Sequence, residues 1–454
     1  MEETKLSWGK RVAYGCGDTA CNVVFGMVTT LLTLFYTDYV GIDAVTVGLV
    51  MLVSRGFDGI SDVVMGLIVE RTKSRWGKAR PWLLWMSVPF AASAVLLFTV
   101  PHTTATLQFL YMFVTYNFCT TICYTAINLP YGSLSVMMTR VSSERDLLSI
   151  VRMSMSPFGR ILAVACTLPL VKLFGDDQAA WVKTMSIWAV IALILLLVCF
   201  YFCKETVEIA ARRDNKDNTP VKIALKALVT NQYFWAALIL WSMQSVAFTV
   251  TGTILPYYCK YVFGNDGLYS MIFFTETILL IAATFCSVFL LKMGKRNMCL
   301  AGAVLALAGH LLVFVDPHSF ELVMATCVIR AIGLAPLNAV VFSFIGDAVE
   351  FGQWKTHVRQ ESLIFAGGSV GTKIGAGAAS ALMTGFLSLA GYVSSTGGGA
   401  VQPESAVQMI IRVYEFGPMI MWAIVITTLA LYQLDKKYPA IMRELIEREA
   451  KGEL

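Results

Sequence analysis

SRGFDGISDVVMG, residues 54–66, sets Asp58 and Asp62 four positions apart inside a run that is otherwise apolar enough to cross a lipid bilayer. An aspartate at the centre of a membrane helix costs about 2.5–3.5 kcal/mol even on insertion-based scales, so lipid cannot be its surroundings. Residues i and i+4 share a helix face, and Arg55 precedes Asp58 by one turn. Arg55, Asp58, Ser61 and Asp62 therefore form one polar stripe that must meet protein or water. The stretch implies a bundle of membrane helices with a polar interior.

The rest of the chain has the same character. Its 454 residues are 57% hydrophobic and only 14% charged, with a mean hydropathy of +0.67, whereas soluble domains carry about a quarter charged residues. Apolar stretches of about 20 residues, each long enough to cross ~30 Å of hydrocarbon, recur along nearly the whole length. Roughly twelve spans emerge: 11–38, 45–70, 81–101, 105–135, 149–174, 180–203, 232–261, 267–291, 298–315, 320–346, 359–391 and 406–433. The expected organisation is an N-terminal six-helix bundle (1–203), a cytoplasmic central loop (204–231), a C-terminal six-helix bundle (232–433) and a cytoplasmic tail (434–454).

Orientation follows from the basic residues. ERTKSRWGKARP, after the second span, carries Arg71, Lys73, Arg75, Lys78 and Arg80, and the bias repeats in the central loop, in GKRN (294–297) and in the tail. Lys172, Lys183 and Lys260 lie on the opposite side, so both termini are expected in the cytoplasm. The formal charge of +5 reflects this sorting and points to no nucleic-acid partner. No cleavable signal peptide is expected before the first span. The eleven cysteines are dispersed, with Cys119/Cys123 and Cys199/Cys203 at helical spacing, and read as small core residues rather than metal ligands or disulfides. Four histidines and no HExxH or GxSxG pattern suggest neither an enzyme nor a cofactor protein.

An Arg55–Asp58 ion pair could lock two helices, but one arginine does not neutralise two carboxylates. Two acids with hydroxyl neighbours suit a small cation: Na+ held by oxygens, or H+ taken up by a carboxylate whose affinity burial and its neighbour raise. Further polar residues stand at similar depth: Tyr14, Asp18 and Asn22 on the first span, Tyr124, Thr125 and Asn128 on the fourth, and Arg152 and Arg160 on the fifth. Lys373 sits within GGSVGTKIGAGAAS, which starts at Gly367, and is a candidate partner for Asp58 or Asp62. Any one of these could be helix-packing glue. Jointly they outline a polar cavity for a polyhydroxylated ligand. Arg330, in the tenth span, either pairs with Glu276 in the eighth or, like Arg160, meets an anionic ligand.

YGCGDTACN (from Tyr14), FYTDYVG (Phe35), RGFDGISD (Arg55), ERTKSRWGKARPW (Glu70), YTAINLPYGSL (Tyr124), GDAVEFGQWKTHVRQES (Gly346) and GTKIG (Gly371) resemble the glycoside-pentoside-hexuronide:cation symporter family, a branch of the major facilitator superfamily. The resemblance implies an all-α membrane fold of twelve transmembrane helices in two six-helix bundles. It also implies a cation site at Asp58, Asp62, Ser61 and Thr125, where Ser61 replaces the amide of the melibiose branch and leaves H+ and Na+ both open. The family's eleventh-span lysine falls on Lys373 and its sugar-side arginine on Arg152. The carboxylates that grip galactosides in the melibiose branch fall on Asn22 and Asn128, and its tryptophan becomes Gly132, which disfavours melibiose. Two buried carboxylates would repel an acidic sugar and two amides would not, in keeping with the glucuronide branch.

Substrate contacts are thus expected from Asp18, Asn22, Tyr124, Asn128, Arg152 and Lys373. Coupling and gating are expected from Arg55, Lys373, Arg75, and Asp347 and Glu350, the last two bridging to the ERTKSRWGKARP loop. The function so implied is secondary import of a sugar or glycoside, glucuronides and other hexuronides or pentosides among the candidates, with H+ or Na+. The partners are the sugar, the cation and the lipid bilayer, and the carrier is expected to act as a monomer in a bacterial inner membrane. A cation-coupled lysolipid carrier of the same fold and a non-transporting membrane sensor are the alternatives.

Overall fold

Apolar segments inside a bilayer have no water to bond their backbone groups, so each must satisfy them internally as a helix. The computed structural model describes residues 5–42, 44–207, 221–265, 267–392 and 402–451, and every regular element among them is helical. In chain order the principal ones are α1 (Trp8–Thr30), α2 (Ala44–Arg71), α3 (Arg80–Leu96) and α4, which passes from Ala105–Asn117 through a wide π-turn at Phe118–Cys123 into Tyr124–Met138. Next come α5 (Ser142–Leu173), α6 (Gln178–Phe202), the short α7 (Val221–Val229), α8 (Gln232–Tyr261), α9 (Leu268–Cys286) and α10 (Lys295–His310). The last four are α11 (Phe320–Thr356), α12 (Glu361–Leu389), α13 (Glu404–Leu431) and α14 (Leu434–Lys451). Helices α1–α6 and α8–α13 fall on the apolar spans, while α7 and α14 lie outside them.

Two helices outrun their apolar stretches. Helix α5 starts at Ser142 rather than 149, and α11 continues to Thr356 rather than stopping at 346. Hydropathy ends where charges begin, but a helix need not when those charges are paired. Glu144, in the first turn of α5, binds Arg11 at 2.8 Å, and Glu350 near the end of α11 binds Arg359 at 2.7 Å.

The chain forms two contact units. The first comprises Met1–Thr230, Val349–Ser369 and Glu444–Leu454; the second comprises Asn231–Ala348 and Val370–Arg443. In the first unit, α1 lies against α5 along a seam of small residues. A Cβ added at Gly159 would stand 2.4 Å from Thr19 Cγ2, so these helices approach only because the position is glycine. The core of this unit centres on Trp181, fully buried and stacked on Phe98 at a ring separation of 5.6 Å, with Phe35 tilted against both.

Glu205, just after α6, anchors the turn before α3. Its carboxylate accepts the backbone N–H groups of Lys78, Ala79 and Arg80 at 3.1, 2.8 and 2.9 Å, placing a negative charge on the helix N-terminus. In the second unit, α10 and α11 meet backbone to backbone, and a Cβ at Gly302 would stand 2.5 Å from Gly333 O. Tyr258 and Tyr414 pack at 4.7 Å in its core.

Trp181→Ala is expected to open a cavity and destabilise the protein by about 3–5 kcal/mol. Thermal denaturation of the purified chain in detergent measures this, and a melting point within a degree of the parent would contradict the central role of this ring stack.

Candidate functional site

Helical spacing puts Asp58 and Asp62 on one face of α2, and α4 supplies hydroxyls at the matching interval. Thr121 Oγ1 donates to Asp58 Oδ1 at 2.6 Å, and Thr125 Oγ1 donates to Asp62 Oδ1 at 3.3 Å. Ser61 Oγ lies 3.4 Å from Thr125 Oγ1 and donates to Asp58 O at 2.9 Å. From the start of α12, Ser369 Oγ donates to Asp62 Oδ2 at 2.8 Å. Asp62 is buried, at 3% exposure, and Asp58 half-buried. The structure thus brings together Asp58, Ser61, Asp62 and Thr125 and adds Thr121 and Ser369. The π-turn holds Thr121, and such wide turns often mark functional positions.

On the neighbouring face of the first unit, Arg152 Nη2 donates to Asp18 Oδ1 at 2.9 Å, and Asn22 Nδ2 donates to Asp18 Oδ2 at 3.3 Å. The Arg152 guanidinium lies over the Tyr131 ring at 4.7 Å, and Tyr131 stacks on Tyr14 at 4.6 Å. Tyr124 stacks on Phe25 at 4.9 Å, with Asn128 one helical turn further along α4. Asn22, Tyr124 and Asn128 are all half-buried, leaving amide and phenol groups open to a ligand. Asp18, Asn22 and Arg152 form one connected cluster, with Tyr124 and Asn128 beside it on α4. Lys373 is exposed on α12 and belongs to the second unit.

The charged residues near the ends of α11 and α5 differ from expectation. Glu350, fully buried, pairs with Arg359 at 2.7 Å and Arg145 at 3.7 Å, not with the ERTKSRWGKARP loop. The loop's cations are committed nearer home. Arg75 is exposed and stacked on Trp76 at 4.2 Å, Lys78 pairs with Glu70 at 3.4 Å, and Arg80 donates to Phe200 O at 2.7 Å. Arg359 also holds Glu361 at 2.5 Å, and Glu70 Oε1 accepts the Ser362 N–H at 2.6 Å. Arg140 and Gln353 both grip Glu449 of α14, at 2.6 and 3.1 Å. Asp347 belongs to the second unit, where it pairs with Lys295. Burial pushes the nearby Asp435 carboxyl above its usual range, while Lys295 and the Arg296 N–H pull it down. The side chain of Arg55 and residues 208–220 of the central loop lie outside the described residues.

Arg330 takes the pairing that the sequence favoured. Its Nη2 donates to Glu276 Oε1 and Oε2 at 2.8 and 2.9 Å. Of the residues the sequence reading passed over, Thr121 carried a signal, standing four positions before Thr125 as Asp58 stands before Asp62. Arg145 and Arg359 lie among charges that looked like ordinary cytoplasmic sorting, and Ser369 had no local signal.

A family model described as MFS/sugar transport protein matches residues 13–436. The chain is 30% identical to the putative glycoside/cation symporter YagG of Escherichia coli (strain K12) over 99% of its own length and 97% of that protein. It is 29% identical to the isoprimeverose transporter of Lactiplantibacillus pentosus, covering 99% of this chain and 94% of the relative. In fold it is similar to the E. coli fucose:proton symporter, with a TM-score of 0.65 over 93% of this chain and 98% of that one, at 14% identity.

Glu350→Gln removes a carboxylate from Arg145 and leaves Arg359 with Glu361 and Gln353. Breaking a buried pair from one side costs about 3–5 kcal/mol, so a clear drop in melting temperature is expected, smaller for Glu350→Asp. Equal stability of both variants and the parent would show that the pairings carry no weight.

Proposed function

The chain belongs to the family of MFS/sugar transport proteins, a family of membrane transporters rather than enzymes, and from that membership we propose that it imports a glycoside by symport with H+ or Na+. The observation that carries this reading is the hydroxyl-lined pair of carboxylates. Asp58 and Asp62 receive hydrogen bonds from Thr121, Thr125 and Ser369 on helices of an apolar protein, where ionised acids are expensive unless they have work to do. Carboxylate and hydroxyl oxygens suit Na+, and either acid suits a proton.

Helix α4 supplies the physical link between ion and sugar. Thr121 and Thr125 serve the aspartates, while Tyr124 and Asn128, within two turns, face the open polar patch with Asn22. An ion that draws Thr121 and Thr125 toward itself sets the rotation of the same helix that presents Tyr124 and Asn128. Each ligand then improves the site of the other, and that reciprocal free energy is the coupling. Transport in this reading alternates between states open to either side of the membrane. Amides and a phenol offer donors and acceptors to sugar hydroxyls. The neutral patch at Asn22 and Asn128 also supports acceptance of acidic glycosides.

We further place both termini in the cytoplasm of a bacterial inner membrane, in keeping with the basic loops. The single chain supplies both the proposed ion ligands and the sugar contacts, so a monomer suffices. Lys373 and Asp347 belong in this reading to the transitions between states, with Glu350 and Arg359 closing the cytoplasmic side. A lysolipid cargo would need a long apolar cleft, which the Asp18–Arg152 and Tyr124–Asn128 groups do not provide.

Asp58→Asn is expected to abolish concentrative uptake in proteoliposomes while sparing glycoside binding or exchange; full accumulation against a gradient would refute the ion assignment. Ser369→Ala, which removes one hydrogen bond to Asp62, is expected to weaken apparent ion affinity about five- to tenfold. Sugar uptake driven by an imposed Na+ gradient at constant pH, compared with a pH gradient free of Na+, separates the two ions.

A further inference from the structure

Among the arginines well inside the helices of the bundles, two are neutralised by carboxylates. Arg152 is paired with Asp18 and Arg330 with Glu276. Arg160 differs. Its described hydrogen bond runs to Thr29 Oγ1 at a long 3.4 Å, and no carboxylate pairs with it among the described residues. Thr29 is itself committed, donating to Phe25 O at 2.9 Å. An uncompensated guanidinium at membrane depth is costly, so its retention asks for a counter-ion that comes and goes.

The position of Arg160 says where that counter-ion sits. Asp18, Asn22, Phe25 and Thr29 follow one another at i, i+4, i+7 and i+11 and form a single face of α1. The neutral Asp18–Arg152 pair closes one end of this face, and Arg160 stands at the other. Between them lie half-buried Asn22, the Phe25–Tyr124 stack and Asn128, and Tyr124 is within electrostatic reach of Arg160. The arginine stem is seated rather than loose. A Cβ at Gly26 would stand 2.7 Å from Arg160 Cγ, so the stem lies flush on the α1 backbone. The stripe therefore offers neutral hydroxyl-binding groups in its middle and a lone cation at one end.

We propose that Arg160 is a specificity-determining residue that holds an acidic substituent, of the carboxylate class, on a glycoside whose hydroxyls engage Asn22, Tyr124 and Asn128. This rests on the reading of the same face as the sugar site. The guanidinium presents a planar fork that meets a carboxylate with two parallel hydrogen bonds, which an ammonium cannot reproduce. Arrival of the acid neutralises the exposed charge, so acidic glycosides gain an interaction that neutral ones lack.

Methyl β-D-glucuronide and methyl β-D-glucoside differ only at C6, and their affinities for the purified full-length protein, read by calorimetry, test the assignment. The parent protein is expected to bind the acid about tenfold or more tighter, equivalent to about 1.4 kcal/mol. Arg160→Gln should bring the ratio of the two affinities close to one, Arg160→Lys should leave an intermediate ratio, and Gly26→Ala should lower it by displacing the stem. The ratio is internal, so general damage weakens both affinities together without moving it. A parent that binds the two equally or fails to bind the acid, or an Arg160→Gln protein that keeps the preference, overturns the proposal. Ion-dependent flux in vesicles is a separate readout: its absence with the ratio intact would overturn symport and leave Arg160 as the acid-binding residue.

Discussion

A charge buried among membrane helices must find a counter-charge, a set of oriented dipoles or a ligand, and the first two are both present in this protein. Arg152 meets Asp18, Arg330 meets Glu276, and Glu350 meets Arg145 and Arg359. Asp58 and Asp62 receive hydrogen bonds from hydroxyls of α4 and α12. The difference has chemical content. An ion pair saturates its partners, whereas a hydroxyl that donates to a carboxylate keeps lone pairs with which to receive a cation. Hydroxyl donors thus leave an acid with neighbours that can also ligate a cation, which an arginine cannot do.

Much of this was legible because helices are periodic. The interval from Asp58 to Asp62 predicted a shared face, and the structure gives that face matching partners at Thr121 and Thr125. The spans themselves followed from apolar length, with ends misplaced where paired charges let a helix continue, as at Ser142 and Thr356. Contacts between distant segments were harder. Ser369 reaches Asp62 across 307 positions of chain, and nothing in the residues around it marks that meeting. Glu350 was singled out for a gate, yet its partners turned out to be Arg145 and Arg359, because the loop's own basic residues are already engaged by Glu70, Trp76 and the carbonyl of Phe200.

The resemblance to cation-coupled glycoside carriers pointed to positions that differ here, and packing gives one of them a reason. Gly132 stands where the melibiose branch has a tryptophan, and a Cβ there would fall 2.9 Å from the Phe365 ring. The space that an indole would fill is already taken by a ring from α12. Likewise, Asn22 does not simply replace an acid. Its amide donates to Asp18, which is itself engaged by Arg152, so the acid on this face of α1 stands one turn before Asn22 and is neutralised there.

The wide turn at Phe118–Cys123 also fixes the phase of the helix that follows it. Each residue of an α-helix advances the face by about 100°, so one residue more or fewer before Tyr124 would swing everything beyond it by more than a quarter of a circle. By absorbing an extra residue without breaking the rod, the turn works like a vernier. It brings Thr121, inside the turn, and Thr125, just beyond it, onto the two acids while the helix runs on unbroken.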